Sequence, residues 1–71
     1  MRTRETDAMA AALNHAFEKS EMTLKEFITH IGTTRDIFDF EEHEDYISFH
    51  ILKDGVVYQF YFAFDEWYCK K

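Results

Sequence analysis

The chain has no proline, two glycines, one cysteine and no apolar run near the roughly 18 residues that cross a membrane as a helix. Each shortage excludes something. A lone cysteine, Cys69, can neither close an intramolecular disulfide nor supply a CxxC-type metal framework. The lack of a disulfide pattern suits a reducing, cytoplasmic compartment. Gly32 and Gly55 are too few and too far apart for a glycine-rich phosphate loop. The first residues hold Arg2 and Arg4 but no apolar stretch of signal-peptide length, and no membrane partner is expected. Basic residues are also scarce, with 8 Lys and Arg against 14 Asp and Glu, a net charge of −6.

Aromatic rings are plentiful. Eight Phe, four Tyr and one Trp stand in 71 residues, and each can bury about 150–250 Å². A chain this short nets only roughly 3–5 kcal/mol from one core, so these rings must build it. Residues 1–71 form a single domain, with residues 1–5 expected to fray.

Periodicity gives the elements. Thr6 to Lys19 reads as a helix capped by Thr6 or Asp7, with Met9, Leu13, Ala16 and Phe17 on one face. Thr23-Leu24-Lys25-Glu26 matches a capping box and opens a second helix, Leu24 to Ile31, which Gly32 should stop. Asp36 to Glu41 alternates as a strand, with a third helix capped by Thr33 or Thr34 as the competing reading. Asp54-Gly55 between alternating apolar runs is a strong hairpin signal. It places Ile47, Phe49 and Ile51 on one face with Val56, Tyr58, Phe60, Phe62 and Phe64 on the matching face of the next strand. Asp65 to Lys71 is a strand extension or a terminal turn, with Trp67 folded onto the core edge. The expected fold is α+β, two N-terminal helices packed on one face of a three-stranded antiparallel meander.

Leu13 to Arg35 carries the Thr23-x-x-Glu26 opening, the apolar pair Phe27-Ile28, Ile31-Gly32 at a turn, and Thr34 placed to cap a further helix. This stretch resembles the first helices of phage-repressor-type DNA-binding domains. The resemblance implies a small helix-turn-helix transcriptional regulator as the alternative function. Its recognition helix would carry Asp36, Asp39, Glu41 and Glu42 with Arg35 as the one base. DNA binding draws heavily on phosphate neutralisation, which such a helix opposes. Direct nucleic-acid contact is therefore not expected.

Other chemistries are thinly supported. Glu41-Glu42-His43-Glu44-Asp45, with His50 beyond, has metal-ligand chemistry, but adjacent residues point in different directions and no site is expected. No serine or cysteine has a recognisable activating partner, so no catalytic residue, cofactor or enzymatic activity is assigned.

Charge and aromatics carry the functional expectation. The first 35 residues are balanced, while residues 36–71 set three lysines against nine acids. The candidate partner-binding residues are Asp36, Asp39, Glu41, Glu42, Glu44, Asp45, Tyr46 and Tyr61. Aromatics rimmed by acids suit a protein partner with a basic surface, and a homodimer through the sheet is the other use for them. Carboxylates standing where phosphates would stand suggest an inhibitor acting as a nucleic-acid mimic. In size, acidity and lack of catalytic apparatus the chain is similar to small phage-encoded anti-defence proteins, including anti-CRISPR inhibitors.

Overall fold

A computed structural model describes residues 2–71. Two helices, α1 (Arg4–Ser20) and α2 (Leu24–Thr34), precede four strands, β1 (Ile37–Glu42), β2 (Ile47–Lys53), β3 (Val56–Ala63) and β4 (Glu66–Lys70). The strands form one antiparallel sheet in the order β1-β2-β3-β4. The architecture is α+β, with four strands where the sequence suggested three.

The fourth strand is the main correction. Trp67 pairs with Phe62 and Cys69 with Phe60, which puts both on the helix-facing side of the sheet. Trp67 is 1% exposed and sits in the middle of the core, against Phe17, Phe27, Phe49 and Phe62. Its strand lies at an edge of the sheet, where outward backbone groups need partners. The Asn14 side chain of α1 supplies them. Its Nδ2 donates to the Trp67 carbonyl at 3.1 Å, and its Oδ1 accepts from the Trp67 amide at 2.7 Å.

The first helix starts earlier than expected. Thr3 caps it rather than Thr6 or Asp7: its hydroxyl accepts from the Thr6 amide, and Thr6 Oγ1 accepts from the Thr3 amide. Threonine replaces the usual Glu or Gln in this reciprocal box. Arg4 and Glu5, assigned to a frayed end, form the first turn, while Met1 lies outside the described residues. Glu5 also ties that turn to the sheet. Its carboxylate accepts from the Tyr58 hydroxyl at 2.6 Å and lies 3.6 Å from Lys71 Nζ.

The expected capping box of α2 is present. Thr23 Oγ1 accepts from the Glu26 amide, and Glu26 Oε1 accepts from the Thr23 amide at 2.9 Å. The helix runs two residues past Gly32, because the hydroxyls of Thr33 and Thr34 bond back to the carbonyls of His30 and Ile31. It ends at Arg35. The residues that would supply a recognition helix form β1 instead.

Helices cover one face of the sheet, as the alternation implied. Ala10, Phe27, Ile31, Phe49, Tyr58 and Phe60 are buried there, with Met9, Leu13, Phe17, Ile51 and Phe62 packed around them. Two details of strand facing differ from expectation. In β1 a bulge sets Asp39 and Phe40 between the pairs Phe38–His50 and Glu41–Ser48, with Asp39 at φ 52°. The bulge breaks the alternation, so Phe38 and Glu41 share a face. Phe64 is the second. It lies in the β3–β4 turn, not on the core face of β3, and is 92% exposed.

Candidate functional site

In an antiparallel meander, alternate turns gather at the same end of the sheet. The β1–β2 loop is closed by a hydrogen bond from the His43 amide to the Tyr46 carbonyl at 2.8 Å. The β3–β4 turn is Phe64-Asp65. These two turns are neighbours. Together they line a shallow recess of about 340 Å³, bounded by Glu42, Glu44, Asp45 and Asp65 with Tyr46, Phe62 and Phe64. No lysine or arginine lines it. Four carboxylates thus share this recess with the most exposed aromatic residue in the described chain.

That ring is held out by a strained turn. Phe64 and Asp65 have φ of 52° and 62°, the left-handed values needed at both centres of a two-residue type I′ turn. A bulky residue at positive φ is uncommon, and such positions cluster at functional sites. The Asp54-Gly55 turn at the other end has the same signs of φ but uses the residues that tolerate them.

The open face of the sheet continues from this end. Tyr61 and Tyr68 are cross-strand partners, stacked with centroids 5.1 Å apart, and Lys70 Nζ lies 5.9 Å from the Tyr61 ring centroid. Asp45, Tyr46, Tyr61 and Phe64 share a second recess of about 300 Å³ with Gln59, Ala63 and Lys70. Tyr46 stacks on His43 at 4.3 Å, and His43 Nε2 lies 3.1 Å from Glu41 Oε1. Farther along β2, His50 stacks on Phe38 and its Nδ1 lies 3.6 Å from Asp39 Oδ2, too long for a hydrogen bond.

The eight residues singled out in the sequence therefore do not form one site. Glu42, Glu44, Asp45 and Tyr46 meet at the two-turn end, and Tyr61 joins through the adjoining recess. Glu41 reaches that end through His43. Asp39 sits on the β1 bulge beside His50, and Asp36 precedes β1 at its other end. All six acids are exposed. Sequence reasoning missed Phe64 and Asp65. The available signal was weak, because the apolar alternation of β3 runs through Phe64 without a break.

Groups elsewhere offer little reactive chemistry. Cys69 is 2% exposed, and its thiol is pushed up to about 11, mainly by burial and further by the carboxylates of Asp7 and Glu5. It is overwhelmingly protonated at neutral pH. The Tyr58 hydroxyl is pushed up to about 12 by its hydrogen bond to Glu5 and then by burial. Among the described residues, no three His, Cys, Asp or Glu side chains converge as a metal site, and no helix is long and apolar enough to cross a membrane. In comparisons with known proteins, no family model, no curated protein and no solved structure matches this chain.

Proposed function

We propose that this chain is a small, non-enzymatic interaction protein that docks the two-turn end of its sheet on a basic surface of a protein partner. The observation that carries the reading is the Phe64 ring, 92% exposed on a strained turn at a recess that Glu42, Glu44, Asp45 and Asp65 also line. Aromatic side chains dominate interface hot spots, and a ring of like charges steers association with a surface of opposite sign. The partner surface has an apolar socket for Phe64 rimmed by Lys and Arg. A nucleic-acid-binding groove has that character, so occupying it makes the chain an inhibitor by phosphate mimicry. Glu41 extends the acidic strip into β1, while Asp39 stands apart on the bulge.

The test is retention of a partner from lysate by the immobilised full chain, compared with Phe64→Ser and with Glu42→Lys/Glu44→Lys/Asp45→Lys. All three substituted acids are exposed, so the charge variant should fold. Retention should fall in both variants, weaken as salt rises, and be competed by duplex DNA. Equal retention by the charge variant would reduce the acids to ordinary solvated surface. Direct binding of the chain to duplex DNA at low salt would overturn the mimic and favour a regulator.

A further inference from the structure

A second feature lies in the helix layer, apart from the proposed docking end. The helices meet at Phe17 and Phe27, whose ring centroids are 4.9 Å apart beside the connecting turn. Beyond that contact a groove of about 350 Å³ opens between α1 and α2. Met9 and Leu13 wall it on one side and Ile31 on the other, with Ile51 and Phe60 of the sheet as its floor. Its charged residues are all of one sign. Arg35 and Lys53 line it, with His30 adding to them when protonated, and no carboxylate does. This is the reverse of the chain as a whole, whose net charge is −6. Neither Arg35 nor Lys53 has a carboxylate within ion-pair distance among the described residues. Glu5 is close enough to feel the Lys53 charge, but its oxygen is held by Tyr58 and Lys71.

We infer that this groove binds an amphipathic carboxylate, with its hydrocarbon chain between the helices and its head group at Arg35 and Lys53. Apolar walls with one or two convergent polar groups are the usual composition of a small-molecule site. The volume lies near the lower end of the roughly 300–1,000 Å³ typical of such sites, which selects a single chain of medium length over a two-chain lipid. The guanidinium and ammonium groups distinguish a carboxylate from the neutral alcohol of equal length.

The experiment titrates the isotope-labelled full chain with decanoate below its micelle concentration, then with decanol. Backbone amide shifts should concentrate at Met9, Leu13, Ile31 and Ile51. Decanoate should bind roughly tenfold or more tightly than decanol, the size of one charge-assisted contact. Arg35→Glu/Lys53→Glu should remove that preference and leave decanol binding in place. Ala12→Trp, an exposed groove residue enlarged, should block both ligands without touching the charges. The inference is overturned if decanoate binds no better than decanol or if the shifts fall elsewhere. It also fails if the wild-type chain is a dimer that covers the groove amides.

Discussion

Phe64 holds a left-handed backbone with its ring almost wholly in solvent, so removing the ring uncovers little and removing the Cβ as well relieves strain. The left-handed conformation costs an L-residue about 1–2 kcal/mol. The ring buries under a tenth of a surface near 200 Å², which contributes less than about 0.5 kcal/mol at ~25 cal/mol per Å². Glycine relieves the strain but adds about 0.5–1 kcal/mol of unfolded-chain freedom. Phe64→Gly should therefore come out more stable than wild type by a few tenths of a kcal/mol. Phe64→Ala keeps the Cβ and loses the ring, so it should be slightly less stable than wild type. The decisive quantity is the difference: glycine above alanine by about 0.5–1 kcal/mol, the reverse of their usual order in regular structure. At roughly 4–8 °C per kcal/mol for a domain of this size, that is several degrees in Tm. Urea and thermal unfolding can be followed through Trp67, the single tryptophan, which is 1% exposed. Alanine equal to or above glycine would refute the strain assigned to this turn. A glycine variant less stable than wild type by 1 kcal/mol or more would show that the ring supports the fold. A variant that is no less stable and yet loses its partner would have lost it for want of the ring, not for want of a fold.

Asn14→Ala removes two hydrogen bonds from the Trp67 backbone and should cost about 1–2 kcal/mol after the helix-propensity gain of alanine, with faster hydrogen exchange at the Trp67 amide. Gly55→Ala places a Cβ at φ +78° and should cost about 1 kcal/mol in urea unfolding although nothing lies within 4 Å to clash. Stability should fall as pH rises from about 9 to 12. Over that range unfolded Cys69 and Tyr58 release protons at their ordinary 9.0 and 10.0, while the folded chain holds them to about 11 and about 12. Tyr58→Phe should flatten the pH 10–12 part of that curve. At the acid end the carboxyls of Glu5 and Glu26 are held below their ordinary 4.5, Glu5 first by the Tyr58 hydroxyl and Glu26 first by the Thr23 amide. Their contribution is present above 4.5 and should fade as pH drops below it, seen as a falling urea midpoint.

What could be read from the sequence follows from where local signals agree with tertiary ones. The α2 capping box, the Asp54-Gly55 turn and the Ile47-Phe49-Ile51 face are short-range patterns, and each is present. The fourth strand was hidden because its turn, Phe64-Asp65, contains none of the glycine or asparagine that marks a hairpin. The strand itself is five residues long, and one edge is completed by the Asn14 side chain 53 residues away in sequence. The start of α1 was missed because Thr6 takes the place of the usual Glu or Gln in its box. Acidity of the second half was plain from composition. Which acids gather was not, because that depends on the two turns being neighbours, and the β1 bulge further separates Asp39 from the group.

The two tight turns of the sheet make the case for the docking end from within the chain. Both adopt positive φ at two successive residues, so both impose the same demand on sequence. The β2–β3 turn meets it with Asp54-Gly55, at the end of the sheet where Glu5, Tyr58 and Lys71 tie helix to strand. The β3–β4 turn meets it with a phenylalanine that packs against almost nothing. A local rule broken without compensation inside the monomer points to compensation outside it. The compensating surface has to accept a bare aromatic ring, and it has to do so within reach of Glu42, Glu44, Asp45 and Asp65. A second copy docked through the same end would present the same four carboxylates and meet them with like charge. A basic protein surface meets neither difficulty, which is why the partner is assigned that chemistry.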